Sequence, residues 1–200
     1  MQHQLWHICK RLTNSERVDA LRKVMLAHDP PTVGNVAESL RLKEPATSLY
    51  LAQLKLDCGL VAPRREGRYV SYAPEPDPDD PRCAILVRVL KNFFKEESSR
   101  LRLPFALPQS APAFVRSLPA LANEGRARIC IRLRRAGRSS IPELMKLLNQ
   151  CDAGIRRHVG IIAKANLCTC SDGLCSWQEP QDPIIVTFLN LMDKEIPLPA

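Results

Sequence analysis

The chain has 200 residues, of which 45% are hydrophobic and 25% charged, and a formal net charge of +8. That length builds one large domain or two of roughly 80 to 100 residues. No run of about 18 apolar residues is available to span a bilayer, and the opening "MQHQLWHICKR" lacks a charged start followed by an apolar core and a small-residue cleavage site. The expectation is a soluble, cytoplasmic protein. Its basic balance favours a polyanionic partner, nucleic acid before membrane, since no basic amphipathic helix or lipidation signal is present. Its eight cysteines are expected as reduced thiols rather than a disulfide framework.

In chain order, Leu5 to Leu12 reads as a short helix. Asn14 or Ser15 can cap a second helix whose apolar stripe is Val18, Leu21, Val24 and Met25. Asp29, Pro30 and Pro31 stop it, and Thr32 caps a third helix, Val33 to Leu40. A fourth begins near Pro45, carries Leu49, Leu51, Leu54 and Leu56, and ends at Gly59. The stretch "LVAPRREGRYVSYA" is two β-prone runs around an Arg-rich turn containing Gly67. After the proline-rich "APEPDPDDP", Arg82 to Glu97 has helical spacing at Leu86, Val89, Leu90, Phe93 and Phe94. A second proline-rich stretch, Leu103 to Phe114, is a connector.

Helix, turn, helix, then a basic hairpin is the order of a winged helix-turn-helix. The motifs "TNSERVDALRKVM", "VGNVAESL", "SLYLAQLKLDCGLV" and "RREGRYVSY" resemble the arsenical-resistance repressor (ArsR-like) family of winged-helix transcription regulators. The resemblance covers about residues 5 to 73 and implies a recognition helix followed by a wing. Tyr50 stands where the family usually has histidine.

The second half repeats the first. "LTNSER" at 12–17 recurs as "LANEGR" at 121–126, "VGNVAESL" at 33–40 as "IPELMKLL" at 141–148, and "TSLYLAQL" at 47–54 as "IRRHVGII" at 155–162. The second copy restores the family histidine as His158. "CGLVAPRREGRYVSY" lies opposite "ANLCTCSDGLCSW", and a further apolar helix, Pro183 to Met192, follows "EPQDP". The fold expected is mainly α with small β-hairpin wings: two tandem winged helix-turn-helix domains forming an intramolecular pseudo-dimer. Residues 1–100 form the first domain, 101–112 a proline-containing linker, and 113–200 the second.

The function this implies is sequence-specific double-stranded DNA binding by a transcription regulator, repressor-like in the sense of the family. In copy one the candidate DNA-binding residues are Lys43, Thr47, Ser48, Tyr50, Gln53 and Lys55 on or beside the recognition helix, and Arg64, Arg65 and Arg68 on the wing. In copy two they are Arg156, Arg157 and His158, with only Asp172 at the wing tip. Arg17 and Arg126 match the family's turn arginine, for which a structural role is expected. The arginine-dense stretch from Arg126 to Arg138 has an apolar face at Ile129, Cys130 and Leu133 and reads as a solvated helix face. The alternative is a winged-helix module that binds protein, either itself or another regulatory protein.

Catalysis is not expected: the histidines at 3, 7, 28 and 158 accompany no nucleophile, paired-carboxylate or phosphate-loop pattern. No cofactor and no metal is expected either. The helices before the recognition helices lack the family's Cys-x-Cys, and His3 and His7 have no adjacent ligand beyond Cys9. In the second wing Cys168 and Cys170 share a strand face and Cys175 returns across the turn near Cys170. A closed zinc site needs a fourth ligand, which only Cys151 offers, so packing of small apolar side chains is the favoured reading and a metal or oxidant sensor the minority one.

Overall fold

The computed structural model describes residues 3–100 and 112–197. Within them the chain is mainly helical, with two small antiparallel sheets, the coarse architecture that the periodicities predict. The chain divides into two compact units, Met1–Gln4 with Asn14–Ala111, and Leu5–Thr13 with Pro112–Ala200. Of the expected linker at 101–112, all but Pro112 lies outside the described residues. The first helix, α1 (Leu5–Arg11), belongs to the second unit.

In the first unit, α2 (Ser15–Leu26) starts where Asn14 Oδ1 accepts the Arg17 N–H at 2.8 Å, and it buries Val18, Leu21, Val24 and Met25. Thr32 begins α3 (Val33–Leu40) with a reciprocal cap between its side chain and Asn35. That helix ends on Arg41 in the left-handed region (φ 55), and the Leu42 N–H closes back on the Ala37 carbonyl at 2.9 Å. That bond and the one from the Arg41 N–H to the Glu38 carbonyl at 3.1 Å satisfy carbonyls that a helix end otherwise leaves open. α4 (Glu44–Leu56) follows with Pro45 in its first turn, where a missing N–H costs nothing. Gly59 (φ 61) then turns the chain in a place with no room for a side chain, since a Cβ would lie 2.9 Å from Cys83 Sγ and 2.7 Å from His3 Nε2.

β1 (Ala62–Glu66) and β2 (Tyr69–Ala73) form the hairpin, and Thr32 bridges to Ser71 on its outer edge. α5 (Pro81–Arg100) packs on α2. Besides the buried Leu86, Leu90 and Phe94, a charge holds these helices together. Arg22, only 3% exposed, donates to Glu97 at 2.8 Å and to Asp19 at 3.3 Å and lies 5.2 Å from the Phe94 ring centre.

In the second unit α1 packs against α6 (Ala113–Leu121), which in turn meets α7 (Glu124–Ala136). Asn123 Oδ1 caps α7 through the Arg126 N–H at 3.2 Å, as Asn14 caps α2. The arginine run does not continue as helix to Arg138. Gly137 (φ 74) ends α7, and β3 (Arg138–Ser140) is a strand that the sequence reading missed. Ser140 then begins α8 (Ile141–Leu148) in a capping box with Glu143, and Asn149 (φ 51) closes it as Arg41 closes α3. α9 (Asp152–Lys164) has 13 residues, like α4.

The second hairpin is β4 (Cys168–Ser171) and β5 (Leu174–Trp177), with β3 on the other side of β5. Both hairpins turn through two residues, but differently. At Gly67–Arg68 only the first has positive φ, whereas at Asp172–Gly173 both do, the pattern a type I′ turn needs. The second hairpin is thus shorter in its strands, with four paired rungs against five, rather than in its turn. α10 (Pro183–Glu195) closes the unit, capped by Asp182. Its buried face includes Ile184, Ile185, Phe188 and Leu189.

Much of the order around α5 passes through one carboxylate. Asp80 is fully buried and accepts the His3 N–H at 3.1 Å, Arg82 Nε at 2.7 Å and Arg82 Nη2 at 2.6 Å, while the same Nη2 donates to the His3 carbonyl at 2.6 Å. The Arg82 hydrogen bonds hold its carboxyl down to about 2. Because that folded value lies below the unfolded one, the stabilisation is complete above about pH 4 and is lost as pH falls towards 2. Asp80→Asn should lower stability at pH 7 by about 3 kcal/mol, since it removes the buried negative charge that accepts two Arg82 hydrogen bonds. Urea unfolding of both proteins from pH 7 to pH 2 checks this, and the difference between them should shrink across the acidic end.

Candidate nucleic-acid interface

The candidate contact residues of copy one lie on α4 and the first hairpin. Lys43 precedes the first turn of α4, and Ser48 and Lys55 are exposed along it. Thr47, expected on the outward side, is fully buried and donates from its hydroxyl to the Lys43 carbonyl at 3.2 Å. Gln53 is half-buried, with its Oε1 buried and without a partner. Two leucines take the outward positions instead: Leu49 is 55% exposed and Leu56 63%. Their spacing of seven residues sets them on one side of the helix.

Tyr50 is anchored rather than free. Its hydroxyl donates to Glu16 at 2.5 Å, and the Arg17 guanidinium lies 5.3 Å from its ring centre. The hydrogen bond to Glu16 is the main reason its phenol is pushed above its ordinary value. The middle of α4 is therefore tied to the first turn of α2.

On the hairpin Arg64 pairs with Glu75. Arg65 and Arg68 are exposed. Tyr69, next to them on β2, is 64% exposed.

The second unit distributes its charge differently. On α9, Arg156 and Arg157 are exposed, Arg156 donating to Asp152 one turn earlier at 2.6 Å. His158, grouped with them in sequence, faces inward and is 7% exposed. Burial, then the nearby Arg126 and Arg157 charges, push its imidazole below the ordinary value. Arg126 itself donates from Nε to the Pro119 carbonyl at 2.8 Å. Further along α7, Arg134 binds Asn190 at 2.8 Å and Glu179 at 3.0 Å, and Arg135 binds Asp193 at 2.6 Å. This part of the arginine run fastens α7 to α10 and its approach, a role the sequence expectation of a solvated face did not include.

The second hairpin differs from expectation in its thiols. Cys170 and Cys175 stand directly opposite in the β4–β5 register, with Cα atoms 4.2 Å apart, and are joined in a disulfide. Cys168 is buried at the base of β4, and burial pushes its thiol up to about 11. The thiols expected to be reduced and packed together thus resolve as one disulfide and one buried thiol. Among the described residues no three His, Cys, Asp or Glu side chains gather so as to hold a metal ion. None of the described helices is long and apolar enough to cross a membrane.

No family model matches the chain, and no curated protein does. Among solved structures, human N-acetylserotonin methyltransferase in complex with SAM is similar at 14% identity and a TM-score of 0.31. The match covers 63% of this chain and 45% of that one. A likeness that low carries no argument about fold or activity.

The cysteine arrangement gives a direct expectation. Unfolded without reductant, the chain should titrate six thiols, rising to eight after reduction, and the folded protein should be labelled first at Cys151, the only exposed free cysteine among the described residues. Thiol counting with mass mapping of the labelled peptides checks it.

Proposed function

We propose that the protein is a sequence-specific double-stranded DNA-binding regulator of transcription built from two tandem ArsR-like winged helix-turn-helix units. The observation that carries this reading is the shared local construction of the two units: a capped helix, a left-handed turn at Arg41 or Asn149, a 13-residue helix, and a two-residue-turn hairpin. In the winged-helix class the second helix of such a pair enters the major groove, while the hairpin lies along the backbone or in the minor groove. α4 and α9 are assigned as recognition helices. Lys43, Ser48, Lys55, Arg65 and Arg68 supply contacts in the first unit, and Arg156 and Arg157 in the second. Arg65 and Arg68 are the wing residues best suited to phosphate or to a narrow minor groove, because both are exposed beside the hairpin turn. The proposal extends to the pairing of the two units as an intramolecular pseudo-dimer, supported by the sequence repeat.

A second reading, a protein-interaction module, is favoured by one specific observation. Leu49, Leu56 and Tyr69 of the first unit are large apolar side chains more than half exposed, an arrangement suited to an apolar partner surface.

Salt titration against random duplex DNA, followed by fluorescence anisotropy, separates the two. The DNA reading predicts affinity that falls steeply with salt, and a slope shallower by about two after Arg65→Ala and Arg68→Ala together. Arg64→Ala should add less, because Arg64 already has Glu75. Absence of duplex binding at low salt would contradict the DNA reading.

A further inference from the structure

The outermost ridge of α4 is apolar. Spacings of four, three and four residues set Pro45, Leu49, Ala52 and Leu56 in one stripe. Helical geometry puts that stripe directly opposite Thr47, Leu51 and Leu54, which are fully buried. The side of α4 that stands furthest from the core of its unit is therefore the side that carries the two exposed leucines.

The charges that accompany α4 stand beside this ridge and not on it. Lys43 precedes the first turn and Lys55 lies in the last, both exposed. Glu44, the one acid in the helix, is turned aside: its Oε1 lies 3.2 Å from the position a Cβ on Gly34 would take, over the first turn of α3. Arg65 and Arg68 add exposed positive charge on the hairpin of the same unit. An apolar ridge with cationic flanks matches the major groove of duplex DNA. Phosphates line the rims of that groove, and the C5-methyl of thymine is the apolar group that base edges present on its floor.

The second unit repeats the geometry with different chemistry. The alignment of "TSLYLAQL" with "IRRHVGII" sets Ala153, Arg157, Gly160 and Lys164 of α9 opposite Pro45, Leu49, Ala52 and Leu56, and all four are exposed. Glycine is the poorest helix former after proline, yet a Cβ on Gly160 would meet nothing within 4 Å, so packing inside the unit does not require a glycine there. A small residue at the centre of each ridge, Ala52 or Gly160, lets a partner surface come close to the helix backbone. The ridge that is apolar on α4 is cationic on α9.

We propose that α4 reads thymine C5-methyl groups in the major groove through Leu49 and Leu56, so that A·T pairs specify the half-site of the first unit. Ala52 leaves room between the two leucines for the base edges, and Lys43 and Lys55 take phosphates at the rims. On α9 the residue at the Leu49 position is Arg157, which suits acceptor groups such as those of guanine and not methyl groups. This inference rests on the DNA-binding reading.

The test starts from duplexes that the full chain enriches from a random library at low salt. Each is synthesised once with thymine and once with uracil, which differ only in the C5-methyl group, and affinities are read by fluorescence anisotropy. A methyl group buried on binding is worth about fourfold in affinity, so two such contacts predict a uracil copy bound about tenfold more weakly. The loss should be confined to uracils in one half of the site. Leu49→Ala together with Leu56→Ala should bring the two copies to equal affinity. Thermal melting of that variant should hardly move, because both positions are exposed and alanine favours the helix. Arg157→Gln should weaken both copies and keep their ratio.

Equal affinity of the wild-type protein for thymine and uracil copies overturns the proposal and leaves DNA binding intact. A preference for thymine that survives the loss of both leucines overturns it in the same way. A library without any enriched duplex overturns the DNA reading and this proposal with it, and assigns the leucine ridge to a protein partner.

Discussion

In each unit an asparagine-capped helix delivers an arginine against the middle of the 13-residue helix that follows the turn. Arg17 lies over Tyr50, and Arg126 sits beside His158. This contact ties the start of one helix to the centre of another, and thereby sets which side of α4 or α9 turns outward. Thr47 and Ile155, at equivalent repeat positions, are both fully buried as a result. The residues available to a partner are those left on the opposite side.

The two units apportion charge in opposite ways on that common construction. The first places exposed arginines on its hairpin and leucines on the outer side of α4. The second places arginines on α9, while its hairpin carries Asp172 and a cross-strand disulfide. Two tandem units that share a backbone plan need not share a contact chemistry, because exposed positions change at little energetic cost while the caps and core do not. The disulfide joins residues already paired by the hairpin register, so it adds a covalent link to an existing rung.

Elements with strong local chemistry were legible from the residues. The caps at Asn14 and Thr32, the apolar stripe of α2 and the Asp-Gly turn at 172–173 each announce themselves within a few positions. β3 was not legible: Arg138, Ser139 and Ser140 have neither β-branched side chains nor alternation, and they become a strand only because β5 offers its edge. The inward turns of Thr47 and His158 were equally hidden, since helical periodicity alone does not say where the boundary between faces falls. The disulfide was visible as proximity of Cys170 to Cys175, but proximity alone does not distinguish a bonded pair from two packed thiols. The ties of Arg134 and Arg135 to α10 span more than 50 positions in the chain, a distance at which no local pattern reports pairing.

The central claim is that the two units together recognise duplex DNA. Selection from a random duplex library at low salt, followed by sequencing, tests it most directly. The account predicts enrichment of a site with two unlike halves centred about 10 base pairs apart, one turn of the double helix, unlike because α4 and α9 present different side chains. A library that emerges without any enriched sequence would contradict it.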